Sequence, residues 1–192
     1  LRKNNFGLAA ALACGLLLPA CSVNVKKEAN GQDKQVDIHT LLGGVHVSKQ
    51  ADVADTGLDV YPGARAKEDR SDQDDKSANV DISGFGYGLK VVAVTYESED
   101  APGKILAFYK DRLKKYGNVL ECHTSHGNWS INLGKKESGN SNELTCNGTG
   151  GDETELKVGR QDNQHIVAIE PEGKGSSFSL VYVRTHGKDA EI

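Results

Sequence analysis

The sequence predicts an α+β fold: a curved antiparallel sheet with one amphipathic helix packed on one face, preceded by a small β meander. Three observations predict it. Residues 101–116 carry apolar side chains at helical spacing. Behind them run short strand-like stretches, Val119–Thr124, Trp129–Leu133, Leu144–Asn147, Glu155–Gly159, His165–Glu170 and Phe178–Thr185, separated by turn-rich ones. Connections that short, with no further helical pattern, imply antiparallel pairing, and one helix across one sheet face is the economical architecture. Ahead of the helix, Val23 and Val25, Val36 and Ile38, and Val45 and Val47 alternate with polar residues around the turn signals Asn30-Gly31 and Gly43-Gly44.

The elements follow in chain order. Arg2 and Lys3 precede an uncharged run from Phe6 to Ala20. As a helix this run would be about 22 Å long, short of a hydrocarbon core of about 30 Å. It therefore reads as an export leader rather than a permanent span. Its end, Leu18-Pro19-Ala20-Cys21, resembles the bacterial lipobox, with Pro19 an unusual residue inside the box. The resemblance implies diacylglycerol on the Cys21 sulfur, cleavage before Cys21 and acylation of the new amino group. Ser22, rather than Asp, after the cysteine would permit sorting to the outer membrane in a lipoprotein of this type. Each buried methylene contributes about 0.8 kcal/mol, so several acyl chains hold a protein firmly. The organisation expected is a signal peptide over 1–20, a lipid-anchored tether or small β meander over 21–57, an α+β domain over 58–186 and a flexible C-terminus over 187–192. About fourteen extended residues behind the anchor would reach about 45 Å.

The 192 residues carry a formal charge of −4, and the leader takes Arg2 and Lys3 with it, leaving 21 Lys+Arg against 27 Asp+Glu, near −6. Such a chain is a poor general ligand for nucleic acid or anionic surfaces, so no nucleic-acid partner is expected. Cys14 leaves with the leader, Cys21 is the lipid site, and Cys122 and Cys146 remain as an even pair. In an oxidising compartment they are expected to form a disulfide. Its closed loop contributes roughly 3.5 kcal/mol on the chain-entropy model. A metal site from Cys122, His123, His126 and Cys146 is the weaker reading. His123 points to the opposite strand face from Cys122, and the spacing fits no zinc pattern. No cofactor and no metal are expected.

Residues 50–57 read as a polar break. Leu58-Asp-Val-Tyr61-Pro62-Gly63 is a strand running into a turn. Lys67 to Asn79 is a charged loop whose Asp69, Asp72, Asp74 and Asp75 lack the glycine of a calcium loop. Gly84-Phe85-Gly86-Tyr87-Gly88 invites a phosphate-loop reading, but a β-branched strand follows where such a loop requires a helix. A flexible or bulged strand connection is expected there. In the helix, Asp100 is the expected N-cap and Pro102 lies in the first turn. Ile105, Leu106, Tyr109, Leu113 and Tyr116 form the buried stripe and Gly117 the stop. In the last strand Phe178, Leu180 and Tyr182 alternate with Ser179, Val181 and Val183, a strand largely buried on both faces.

Val60-Tyr-Pro-Gly-Ala64, then Val94-Thr-Tyr-Glu-Ser-Glu-Asp100, then Ile105-Leu-Ala-Phe-Tyr-Lys-Asp-Arg-Leu113, resemble a module of exported bacterial proteins. The Val36-Asp-Ile-His-Thr and Gly-Gly-Val-His-Val47 segments resemble the front of predicted lipoproteins from acidobacteria. These motifs are structural and imply no activity. Ser125 and Ser130 lie near His123 and His126, but no Gly-x-Ser-x-Gly elbow is present. His39 and His46 flank the Gly43-Gly44 turn and are read as exposed strand histidines rather than metal ligands. The expectation is a membrane-anchored envelope lipoprotein, periplasmic or outer-membrane, that is not an enzyme. Its partners would be the bilayer through acylated Cys21 and an envelope protein or glycan, with Trp129 and His126 the candidate binding surface. A structural lipoprotein or a periplasmic enzyme are the alternatives.

Overall fold

Two-residue alternation builds the centre of the molecule. Phe178, Leu180, Val181 and Val183 are buried on both sides of one strand, as are Ile166, Val167 and Ile169 on its neighbour. The computed structural model describes residues 22–27, 33–40, 42–67, 77–125, 131, 142–146 and 150–187. The first strands are β1 (Ser22–Lys27), β2 (Asp33–Thr40), β3 (Gly43–Ser48), β4 (Arg65–Ala66), β5 (Ser77–Gly84) and β6 (Tyr87–Ser98). Helix α1 (Pro102–Leu113) follows, then β7 (Leu120–Thr124), β8 (Glu153–Arg160), β9 (Asn163–Glu172) and β10 (Gly175–His186). They form one open, curved antiparallel sheet in the order β1-β2-β3-β5-β6-β10-β9-β8-β7, with β4 pairing on β6.

Helix α1 crosses β8 and β9 on one face. Ile105, Tyr109 and Leu113, one stripe at helical spacing, are fully buried against Leu156, Val158, Val167, Ile169 and Leu180. Each such side chain contributes about 2 kcal/mol on leaving water. Phe178 is the hub of this core. Its ring lies 5.6 Å from Tyr96, 5.7 Å from Tyr109 and 6.4 Å from Tyr61. A smaller apolar layer on the opposite face joins Ile166, Val181 and Val183 to Leu89, Val91, Ala93 and Ile131.

Several expectations change in the structure. The helix is capped by Ala101 without a side-chain bond, not by Asp100. Both carboxylate oxygens of Asp100 are taken: Lys104 Nζ donates to one at 2.6 Å and the Tyr61 hydroxyl to the other at 2.9 Å. After Leu113 the chain tightens into a 3₁₀ turn, Lys114–Tyr116, before Gly117. The polar break at 50–57 holds a 3₁₀ turn, Val53–Thr56, whose Thr56 is buried while Ala51 and Val53 pack on the main core. The glycine-rich run is a tight β5–β6 hairpin, with Phe85 at φ 54° and Gly86 at φ 79°. Both central residues thus take the left-handed conformations of a type I′ turn. Residues 144–146 are not in a strand, and of the expected strand 129–133 only Ile131 is described, likewise outside any strand.

The meander is part of the same sheet. Strand β3 pairs with β5 along its length, from Gly43 opposite Gly84 to Ser48 opposite Asn79. The residues behind position 21 are therefore strand, not spacer. Across this half of the sheet the sidedness inverts. On the face that carries α1 elsewhere, Asn24, Asp37, His46, Asp81, Lys90 and Arg184 stand in one cross-strand row. The other face carries two aliphatic rows. One runs Val25, Val36, Val47, Val80, Val91 and Val183; the next runs Val23, Ile38, Val45, Ile82 and Leu89.

Candidate functional site

Cys122 on β7 is bonded to Cys146, with Cα atoms 5.5 Å apart. The bridge holds segment 142–146 over the sheet face away from the helix. Asn142 and Glu143 carbonyls accept from the Gln161 backbone N–H and side-chain amide at 3.1 and 3.0 Å. Beneath the segment, Glu155 and Lys157 are both fully buried with their charged atoms 3.1 Å apart, and Lys157 Nζ reaches the Thr145 carbonyl at 3.5 Å. A pair this dry holds only while both charges are present.

The histidines separate. His46 sits opposite Asp37, Nδ1 to Oδ1 at 2.5 Å, and His39 opposite Gly44. The hydrogen bond from His46 holds the Asp37 carboxyl below the usual aspartate range. Asp81, another carboxylate, faces His46 from the next strand, so this dyad has no hydroxyl nucleophile in register. His123 is exposed on the opposite strand face from Cys122, 3.7 Å from Glu121. His165 is buried, stacks on Tyr116 with ring centroids 3.8 Å apart, and meets the Thr56 carbonyl through Nδ1 at 2.9 Å. Burial pushes its pKa down, against the raising effect of the Thr56 carbonyl. Among the described residues no three His, Cys, Asp or Glu side chains converge as metal ligands.

A cleft of about 610 Å³ opens where β6 changes partner, from β5 at Ser77 opposite Val94 to β4 at Ala66 opposite Tyr96. The 3₁₀ turn at Val53–Thr56 forms one wall. Asp52 caps that turn, accepting from the Ala54 N–H at 2.9 Å. The Lys67 backbone N–H closes the other wall on the Thr95 carbonyl at 2.9 Å, while its ammonium is held by Glu172 at 2.7 Å. Val94 and Tyr96 supply an apolar floor. Burial, then the Asp52 carboxylate, pushes the Tyr96 phenol up. Asn79 lines the cleft too, and its Oδ1 is buried without a hydrogen-bond partner among the described residues. A mixed floor with an available acceptor suits a small polar ligand or a peptide side chain.

The opposite end of the same strands is apolar. Register places Ser22 opposite His39, Thr40 opposite Gly43, and Gly43 opposite Gly84. The start of β1, the β2–β3 turn and the β5–β6 turn therefore share one rim. Leu42, Phe85 and Tyr87 stand there 62%, 81% and 65% exposed. From sequence, Phe85 and Tyr87 read only as parts of a glycine-rich strand connection, and Leu42 has no distinguishing pattern. The signal was a phenylalanine between two glycines in a turn, a place where solvent-facing polar residues are usual.

Cys21, His126 and Trp129 lie outside the described residues, as do Asp69, Asp72, Asp74 and Asp75. No helix among the described residues is long and apolar enough to cross a membrane. No protein-family model, curated protein or solved structure matches the chain.

Proposed function

We propose that this chain is a bacterial envelope lipoprotein, anchored through acylated Cys21, that serves as a non-enzymatic binding module. The observation that carries the reading is Leu18-Pro19-Ala20-Cys21 behind a charged start and a short apolar run. The run is too short to span a bilayer and has the length of an export leader. The bonded Cys122–Cys146 pair is consistent with an oxidising compartment. The cleft beside Asn79 supports binding of a small polar group. Tyr87 and Thr95 lie eight residues apart on β6, about 27 Å at strand rise. An anchor at residue 21 would then direct the cleft away from the bilayer.

The test takes the protein from its native membrane. Mass spectrometry of its N-terminus is expected to give a diacylated or triacylated Cys21. An unmodified mature chain starting elsewhere, or an intact leader, would overturn the anchor. A photo-crosslinker at Asp52, on the cleft wall, is expected to capture a partner that the same probe at exposed Lys174 does not. Equal capture at both positions removes the cleft from the proposal.

A further inference from the structure

We infer that the rim bearing Leu42, Phe85 and Tyr87, with the adjoining aliphatic face of β1, β3 and β5, seats directly in the lipid interface as a second, non-covalent attachment. The inference rests on Cys21 as the lipid site and adds what the folded domain does there. Its first ground is the absence of a spacer: Ser22 is already paired with His39 in β1. A residue extends at most about 3.6 Å, so a lipid on residue 21 brings the end of β1 to the bilayer surface.

Its second ground is where the exposed apolar groups lie. All the large exposed hydrophobic residues among those described, Val23, Val25, Leu42, Val47, Ile82, Phe85 and Tyr87, belong to β1, β3, β5, the start of β6 and their turns. They lie on the aliphatic face or at the rim where residue 21 enters. Strands β1 to β6 at this rim span about 19 Å, four inter-strand spacings. That is a broad contact rather than a single wedge. Exposed apolar surface this contiguous marks an interaction site.

Its third ground is charge. The described rim residues (Ser22, His39, Thr40, 42–44, 83–88, 186 and 187) include no acid, although the chain as a whole carries 27. Described rim residues without a carboxylate meet anionic headgroups without repulsion, and Tyr87 is amphipathic enough to sit at their depth. The binding this surface supports is driven by apolar area and depends little on lipid charge.

The experiment uses the chain from residue 21 onward with Cys21→Ser, so no lipid is attached, and measures flotation with two vesicle types. One is phosphatidylcholine; the other is phosphatidylethanolamine with phosphatidylglycerol. Weak binding to both is expected, little changed by 0.5 M salt. Phe85→Asn removes the most exposed ring while placing a residue that type I′ turns favour, so the hairpin keeps its turn. It is expected to lower partitioning about tenfold, the equivalent of about 1.4 kcal/mol. Lys174→Ser, on a turn away from the rim, is expected to change nothing.

Flotation that Phe85→Asn leaves unchanged, or that salt abolishes, overturns the inference. So does an absence of flotation. A concentration-dependent dimer that Phe85→Asn dissociates, without lipid binding, overturns it in favour of a second copy. Mass spectrometry of the native N-terminus is independent of these outcomes. An acylated Cys21 with a rim that does not bind vesicles refutes this inference alone, and an unmodified N-terminus refutes the anchor beneath it.

Discussion

Replacing Tyr109 by phenylalanine tests how the helix is tied to the segment that leads into the cleft. The Tyr109 ring is fully buried, and its hydroxyl joins two backbone groups. It accepts from the Tyr61 N–H at 3.1 Å and donates to the Asp59 carbonyl at 3.1 Å. Burial pushes the phenol far above its ordinary range, so it remains a donor wherever the protein is folded. Phenylalanine keeps the ring, its contact with Phe178 and the packing volume, so no cavity forms. The loss is two hydrogen bonds, leaving a backbone donor and a backbone acceptor in a half-buried place. Deleting one partner of such bonds costs about 1–3 kcal/mol in all, and we take about 2. For a domain of this size that corresponds to a fall in Tm of about 4–8 °C. Urea denaturation followed by far-UV circular dichroism reads it directly: the midpoint is expected to fall with the slope unchanged. Tyr61→Phe is the comparison, since its part-buried hydroxyl bonds a side chain, Asp100, and no backbone group among the described residues. Its effect is expected to be less than a third as large. A Tyr109→Phe protein with an unshifted midpoint, or one no weaker than Tyr61→Phe, would refute the claim that this hydroxyl fastens 59–61 to the helix.

Three further outcomes follow from other buried groups. Cys122→Ala with Cys146→Ala, residues 24 apart in sequence, is expected to lose roughly 3.5 kcal/mol on the chain-entropy model; a Tm unaffected by the double change or by reductant contradicts it. Lys157→Met leaves the Glu155 carboxylate buried beside an apolar chain and is expected to cost about 3–5 kcal/mol, while adding Glu155→Leu recovers most of it. Additive losses in denaturant midpoints would show that the two charges are not coupled. For His165 the folded pKa lies below the ordinary 6.5, first because of burial. The unfolded chain then binds more protons between the folded value and 6.5, so stability rises with pH there and falls on acidification through 6.5. His165→Gln is expected to flatten the Tm profile between pH 7 and 5; an unchanged slope assigns the acid sensitivity elsewhere.

Local pattern made the helix and the late strands readable. Ile105, Tyr109 and Leu113 repeat at helical spacing, and Phe178 to Val183 alternates, so the burial of both follows from period alone. The boundaries moved because competing bonds decided them. Asp100 is a favourable cap by type, yet Lys104 and Tyr61 occupy its carboxylate. The union of the meander with the main sheet was not readable. Val45 opposite Ile82 and Val47 opposite Val80 are contacts between stretches separated by a long polar connection, and register between them is set by matching faces rather than by any local signal. The cleft was hidden for the same reason. Asn79 and Tyr96 come together only because β6 exchanges one partner strand for another midway along its edge.

The inverted sidedness of the sheet connects these observations. A sheet face covered by a helix needs apolar residues there, and β8, β9 and β10 supply Leu156, Val167 and Leu180, while Ile166, Val181 and Val183 of β9 and β10 are buried on the opposite face as well. Strands β1, β2, β3 and β5 place their valines and isoleucines on the other side and their Asp37, His46 and Asp81 toward the side of the helix, which does not extend over them. The parts of these aliphatic rows on β1, β3 and β5 have no covering helix among the described residues, and with Val23, Val25, Val47 and Ile82 exposed they contribute little to the stability of a monomer in water. They are useful where the solvent itself is apolar at that position. A lipid on residue 21, as proposed, would meet that condition at the first strand. If Cys21 carries the proposed lipid and the rim faces the bilayer, the distance between membrane and cleft would be set by the length of β6 instead of by a flexible tether. The cleft of such a protein would be held at a nearly constant height, so partners should be selected by their reach from the bilayer as well as by their chemistry.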